Sequence, residues 1–179
     1  NDIVEIQGNI DVSSKNPTIP SGKLTITGTN VYYGGSTNAS GSSGGKILAK
    51  AKELLVLDGS IVAKGLKESG GDLMVVSEDV LLSTARTNVD MSGSLNGGSI
   101  KLHGDSYNLV TGAFKADGNS NQGGIIDYAG QNVKLAAADI SAKGASQGGK
   151  VRIGGEYLGG QELSKVSLKE YNGFINRFE

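Results

Sequence analysis

Apolar and polar residues alternate along this chain in short runs, and the runs recur at a nearly fixed interval. A Gly pair marks each recurrence: Gly44-Gly45, Gly70-Gly71, Gly97-Gly98, Gly123-Gly124 and Gly148-Gly149, in steps of 26, 27, 26 and 25 residues. Counted from the first Gly, position +3 holds Ile47, Leu73, Ile100, Ile126 and Val151, and +5 holds Ala49, Val75, Leu102, Tyr128 and Ile153. Position +10 gives Leu54, Val80, Tyr107 and Val133, and +12 gives Val56, Leu82, Leu109 and Leu135. Position +17 gives Ile61, Phe114 and Ile140, followed at +19 by Ala63, Ala116 and Ala142 and at +21 by Gly65, Gly118 and Gly144. The second unit joins this column two residues late, as Val89, Met91 and Gly93.

Alternation with period two predicts strands, and no stretch sustains a helical period. Three short strands per unit, with Gly, Asn, Asp and Ser between them, predict an all-β chain wound as a triangular parallel β-helix. Each unit is too small to bury its own apolar face and gains a core only by stacking on its neighbours. Five such steps, with one or two irregular coils before them, make a rod of roughly 30 Å at the interstrand spacing. On this reading the +3, +5, +10 and +12 columns point inward. The outward +4 column then holds Leu48, Met74, Lys101, Asp127 and Arg152, and the outward +11 column holds Leu55 and Leu81. The Gly pairs are expected at tight corners that need φ > 0.

The chain reads as one body: irregular N-terminal coils over residues 1–43, regular coils over 44–160, and a last coil or capping segment over 161–179. Ser21 to Ile26 matches the start of a unit, with Leu24 and Ile26 inward, and Val31-Tyr32-Tyr33 fits either a second or a third strand. Ile3 to Ile6 and Ile10 to Val12 read as two strands of a preceding coil, with Pro17 and Pro20 in its turn. The stretch from Gly34 to Gly45, nearly all Gly, Ser, Asn and Thr, reads as an exposed, mobile loop. Gly154 to Ser164 looks inserted into a turn, after which Val166 to Leu168 and Phe174 to Phe178 supply two strands. The alternative is a short amphipathic helix from Gln161 to Tyr171.

Composition narrows the classes. With 29 Gly but two Pro the chain is neither collagen-like nor Pro-rich, so the Gly serves turns. A net charge of −1 with interleaved signs offers no electrostatic footprint for nucleic acid or an anionic membrane. No cysteine is present, which removes disulfides and thiolate metal sites. The longest apolar run, Leu54 to Leu57, is far short of a membrane-spanning helix. The opening residues already read as a strand, without a basic or apolar leader, so an exported product would have this as a mature or excised piece.

The stretch Gly148-Gly149-Lys150-Val151-Arg152-Ile153-Gly154-Gly155-Glu156-Tyr157-Leu158-Gly159-Gly160 resembles a hallmark of the filamentous-haemagglutinin-type exoproteins of Gram-negative bacteria, written GG-x-V-x-I-G-G-D/E-Y-x-G-G. In that family it follows a strand ending in a form of I-D-A-S-G, whose counterpart here is Asp139 to Gly144, with variants at Ile61 to Gly65 and Phe114 to Gly118. The resemblance covers about Gly44 to Gly160. It implies a right-handed parallel β-helix, exported by two-partner secretion through an outer-membrane transporter and displayed at the cell surface as an adhesin, haemagglutinin, biofilm factor or contact-dependent toxin carrier. The family's secretion domain carries an N-P-N-L-like motif, which Asn16-Pro17-Thr18 matches poorly. This segment is therefore expected to belong to the rod.

Catalysis has little to work with. A polysaccharide-acting β-helix enzyme needs clustered carboxylates for Ca²⁺ or as an acid/base pair. The outward +4 column offers one, Asp127 between Lys101 and Arg152, which reads as a surface ion ladder. His103 falls outward beside it with no nucleophile or second acid, and one histidine without cysteine makes no zinc site. No Walker-type phosphate loop or Ca²⁺-binding nonapeptide is present. The expectation is a non-catalytic, adhesive and structural rod segment that takes no cofactor or metal. Its partners would be a host-cell or bacterial surface receptor or glycan. It is expected to be a monomer that neither enters a membrane nor binds nucleic acid. The alternatives are a lyase or glycosidase on the same fold, or a glycan-binding module. Candidate partner-binding residues are Tyr32, Tyr33 and Asn38, outward Leu48 and Met74, and Tyr157. An irregular flanking segment folded over Leu48 and Met74 is the simpler expectation for that pair. Asn38-Ala39-Ser40 is the only glycosylation sequon.

Overall fold

The computed structural model describes residues 2–16 and 18–154. Among the described residues fourteen strands follow one another with no helix: β1 (Ile3–Ile6), β2 (Asn9–Asp11), β3 (Lys23–Tyr33), β4 (Ser36–Asn38), β5 (Lys46–Leu57), β6 (Ser60–Val62), β7 (Asp72–Ser77), β8 (Val80–Ser83), β9 (Asn88–Asp90), β10 (Ser99–Gly104), β11 (Tyr107–Lys115), β12 (Ile125–Ala129), β13 (Val133–Ser141) and β14 (Lys150–Gly154). Every pairing is parallel and joins a strand to its counterpart one coil away. The chain is a parallel β-helix of about six turns with three faces. The first face stacks the start of β3, the start of β5, then β7, β10, β12 and β14. The second stacks β1, the end of β3, the end of β5, β8, and the starts of β11 and β13. The third stacks β2, β4, β6, β9, and the ends of β11 and β13.

Equivalent residues stack because each coil templates the next. On the first face Ile47, Leu73, Ile100 and Ile126 form one fully buried column, and Ala49, Val75, Leu102 and Tyr128 form another. On the third face Thr37, Ile61, Val89 and Phe114 are buried in line, with Ala39, Ala63, Met91 and Ala116 behind them. These two faces agree with the columns read from the alternation.

The second face is one residue out of phase with that reading. Its buried column is Val31, Leu55, Leu81 and Asn108, with Tyr33, Leu57, Ser83 and Val110 beside it. Leu54, Val56, Val80, Leu82, Tyr107 and Leu109 point outward and are half-buried. Leu55 and Leu81 are therefore core residues, not an outward pair. From the first-face column to this one is eight residues in three units (47 to 55, 73 to 81, 100 to 108) but seven in the unit of Ile126 and Val133. Counting from the Gly pair aligned Val133 and Leu135 with Leu54 and Val56. The ladder aligns them with Asn108 and Val110. The missing residue is restored at the next corner, where Leu135 to Ala138 opposes Val110 to Gly112 and Ala137 takes φ 53°.

Two further expectations change. Gly34 to Gly45 is not a mobile loop: Ser36–Asn38 is β4, paired on both sides, and Thr37, Ala39 and Ser42 are buried. Small residues suit this coil because bulky Tyr33 fills the adjoining core and its hydroxyl hydrogen-bonds Thr37 Oγ1. Val31 to Tyr33 is a second-face strand. The Gly pairs also do not need positive φ, which Gly adopts only at Gly112, Gly130 and Gly154 among the described residues. They are needed because backbones touch: a Cβ on Gly98 would stand 2.0 Å from the Gly71 carbonyl oxygen, and one on Gly124 2.0 Å from that of Gly98. The predicted strands and helix beyond Gly154 lie outside the described residues.

Val110→Asp, which puts a charge in the core, is expected to lower stability by about 3–5 kcal/mol. Outward Leu109→Asp should cost about 1 kcal/mol. Urea unfolding followed by circular dichroism measures both, and equal losses would reject the phase described for the second face. Gly98→Ala should cost about 3 kcal/mol, because two backbones must part to admit one methyl. A loss below about 1 kcal/mol, the ordinary surface range, would reject the contact.

Candidate functional site

The most strongly interacting polar cluster sits at the corner between the second and third faces. Asp58 and Thr84 occupy equivalent corner places in successive coils, and Tyr32 reaches Asp58 from the strand of the coil before, where the ladder sets it beside Val56. The Tyr32 hydroxyl donates to Asp58 Oδ2 at 2.5 Å. Thr84 Oγ1 donates to Asp58 Oδ1, and Arg86 grips both carboxylate oxygens through Nε, at 3.0 Å, and Nη2. The second unit's two extra residues build this clamp. They form the turn from Thr84 to Thr87, closed by Thr87 N–H to the Thr84 carbonyl at 3.0 Å. Thr87 Oγ1 ties the turn back to the Leu57 carbonyl at 2.7 Å.

Asp58 is almost fully covered, and the bonds from Arg86, Thr84 and Tyr32 hold its carboxyl well below the usual carboxylate range. The Asp58 hydrogen bond in turn raises Tyr32. Every oxygen of the carboxylate is occupied by protein donors, so the cluster acts as a staple across three coils. The three residues differ in type, and Tyr32 lies two positions before the place equivalent to Asp58, so no column of the repeat marks the cluster in the sequence.

A second feature runs along the corner before the first face. Gly97-Gly98, Gly123-Gly124 and Gly148-Gly149 floor a shallow trough of ≈ 480 Å³, rimmed by Ser69, Asn96, Gln122 and Gln147. The rim residues immediately precede the Gly pairs, so each coil contributes one. They bond along the rod: Asn96 Nδ2 to Ser69 Oγ at 3.2 Å and Gln122 Nε2 to Gln147 Oε1 at 3.1 Å. Asn121 Nδ2 donates to Asn96 Oδ1 at 2.9 Å, and Ser146 Oγ donates to Asn121 Oδ1 at 2.7 Å. The result is a ladder of amides and hydroxyls beside a backbone floor, with Asp72 and Lys150 also lining the trough.

The candidate residues from the sequence do not converge. Tyr32 belongs to the staple, and Tyr33 is buried in the core. Asn38 is exposed on β4, its Oδ1 accepting from the Ser40 N–H at 3.1 Å. Leu48 and Met74 are neighbours across the β5–β7 ladder and point outward, yet both are buried. Tyr157 lies outside the described residues. Lys101, Asp127 and Arg152 are in register, with Arg152 paired to Asp127. His103 lies against Asp105 of its own turn, away from Asp127. Among the described residues no group of three or more His, Asp or Glu side chains could hold a metal ion.

The fold and its corner ladders define a parallel β-solenoid with repeated polar edges. Comparison with protein-family models, curated proteins and solved structures found no match for the chain.

Because Asp58 has a lowered pKa in the fold, its contribution is complete above the unfolded value of about 3.9 and is lost as pH falls through the folded value. Asp58→Asn is expected to lower the melting temperature at pH 7, with the gap to wild type closing as both are titrated below about pH 4. A gap that stays constant down to about pH 2 would mean the carboxylate charge contributes nothing.

Proposed function

We propose that this chain is a rod segment of a secreted or surface-displayed bacterial adhesin-like exoprotein, structural and adhesive, without catalysis of its own. The observation that carries this reading is the parallel stacking kept over about six turns, which brings a hydroxyl or amide to the same corner of successive coils. A surface of that kind suits a partner that is itself repetitive. The joined motif from Gly148 to Gly160 and its resemblance to filamentous-haemagglutinin-type exoproteins supply the cell-surface and two-partner-secretion part of the proposal. The parent protein's transporter and a surface receptor or glycan are then its partners.

The amide-lined trough favours a glycan as the contacted class. Coils advance about 4.8 Å per step, close to the rise of an extended saccharide chain, and the amides and hydroxyls of the rim, with Asp72 and Lys150 beside them, offer donors and acceptors to sugar hydroxyls. The rim of Asn96, Gln122 and Gln147 presents one such group per coil.

Saturable binding of the purified chain to a glycan array or to intact cells is the expected outcome, weakened about tenfold, or about 1.4 kcal/mol, in an Asn96→Ala/Gln122→Ala/Gln147→Ala variant that remains β-rich. Absence of binding by the folded wild type would reduce the segment to a spacer. Release of an unsaturated, ultraviolet-absorbing product from a polysaccharide would replace the proposal with a lyase.

A further inference from the structure

The trough beside the first face has two unlike walls. On one side Ser69, Asn96, Gln122 and Gln147 repeat a hydroxyl or an amide on every rung. On the other, the opening residues of four ladder-paired strands form one column, Asp72, Ser99, Ile125 and Lys150. This column changes character at each rung: a carboxylate, a hydroxyl, an aliphatic side chain and an ammonium. The carboxylate is engaged within the wall, since Asp72 Oδ1 accepts from Ser99 Oγ at 2.7 Å. Ile125 is 44% exposed and makes an apolar step in an otherwise polar groove. Lys150 is exposed, and among the described residues no carboxylate pairs with it, because Asp127 on the neighbouring strand is taken by Arg152. The two ends of the column stand three ladder steps, or about 14 Å, apart.

Resting on the reading of the trough as a glycan site, we propose that it selects a carboxylated oligosaccharide and holds it in one direction, the sugar carboxylate on Lys150 and neutral sugars running back towards Asp72. An exposed ammonium gains a charge-assisted hydrogen bond from a carboxylate, roughly twice as strong as the bond a sugar hydroxyl offers it. One rung back, the Ile125 side chain fits the C–H face of a pyranose ring, the apolar side of a molecule otherwise covered in hydroxyls. Ser99 Oγ, already donating to Asp72, is left as an acceptor, and the carboxylate of Asp72 accepts from a sugar hydroxyl in turn. A carboxylated sugar on the Asp72 rung would instead meet a like charge, so a chain acidic at every sugar is selected against. Lys46 continues the column beyond Asp72, but it lies outside the trough and is not without a partner of its own. An ammonium at one end and a carboxylate at the other thus decide which way round the ligand lies.

Calorimetric titration of the full chain with tetrasaccharide pairs that differ only at a terminal carboxylate tests this: glucuronate against glucose, and sialate against its carboxamide. The carboxylated member of at least one pair is expected to bind about tenfold tighter, a preference that shrinks as salt is raised. The pair that shows it identifies the source of the carboxylate. Lys150→Gln should abolish the preference without changing affinity for the neutral member, and Lys150→Arg should keep it, both variants remaining β-rich by circular dichroism. Tetragalacturonate, acidic at every sugar, should bind more weakly than the singly carboxylated chain and gain affinity on Asp72→Asn. No gain there would overturn the assigned direction, and a preference that survives Lys150→Gln would overturn the assigned anchor. Equal affinity within both pairs, beside a loss in the Asn96→Ala/Gln122→Ala/Gln147→Ala variant, would overturn this inference and leave the trough as a glycan site. No binding of any member by the folded chain would overturn the trough reading and this inference with it.

Discussion

Every coil of this molecule is held by the hydrogen-bond ladder to the coil on either side, and the ladder tolerates no cumulative error. A strand shifted by one residue would turn its whole inward set outward. Insertions and deletions must therefore be absorbed at corners and cancelled before the next face. The second unit inserts two residues between Leu81 and Val89 and confines them to the turn from Thr84 to Thr87. The fourth unit loses a residue before Val133 and regains it at Ala137, at the cost of a non-Gly residue in the left-handed region. Ladder continuity outranks local backbone preference.

The same constraint explains what could be read from the sequence. The first and third faces were legible because their inward positions are apolar and the residues between them are mostly polar or small. The second face was not, since Leu54 to Leu57 is apolar at every position and alternation carries no phase there. Counting from the Gly pair then grouped Val133 and Leu135, from the unit whose corner is one residue short, with Leu54 and Val56, which face outward. Gly34 to Gly45 was misread because its polar, small composition is that of a loop, whereas in a templated coil a residue is buried by what stacks above and below it. Thr37 lies between Ile10 and Ile61 for that reason. The Gly pairs were correctly placed and wrongly explained: close approach of neighbouring coils, a long-range fact, leaves the same signature as a turn.

The polar features divide along similar lines. Amides and hydroxyls before each Gly pair recur with the coil and make a continuous edge, whereas the Asp58 cluster occurs once and depends on the inserted turn that carries Arg86. The repeated edge is suited to contacts distributed along the rod. The single cluster is suited to fixing three coils to one another.

The staple also bears on how such a rod carries load. Pulled at its ends, a solenoid gives way by peeling, one coil leaving the stack at a time, because each coil is held only by its nearest neighbours. Tyr32, Asp58, Thr84 and Arg86 join three coils through one carboxylate, so the outermost of the three cannot leave without breaking bonds that also anchor the next. Extension from either end would run coil by coil up to this clamp and pause there, which makes it a mechanical stop set into an otherwise uniform spring.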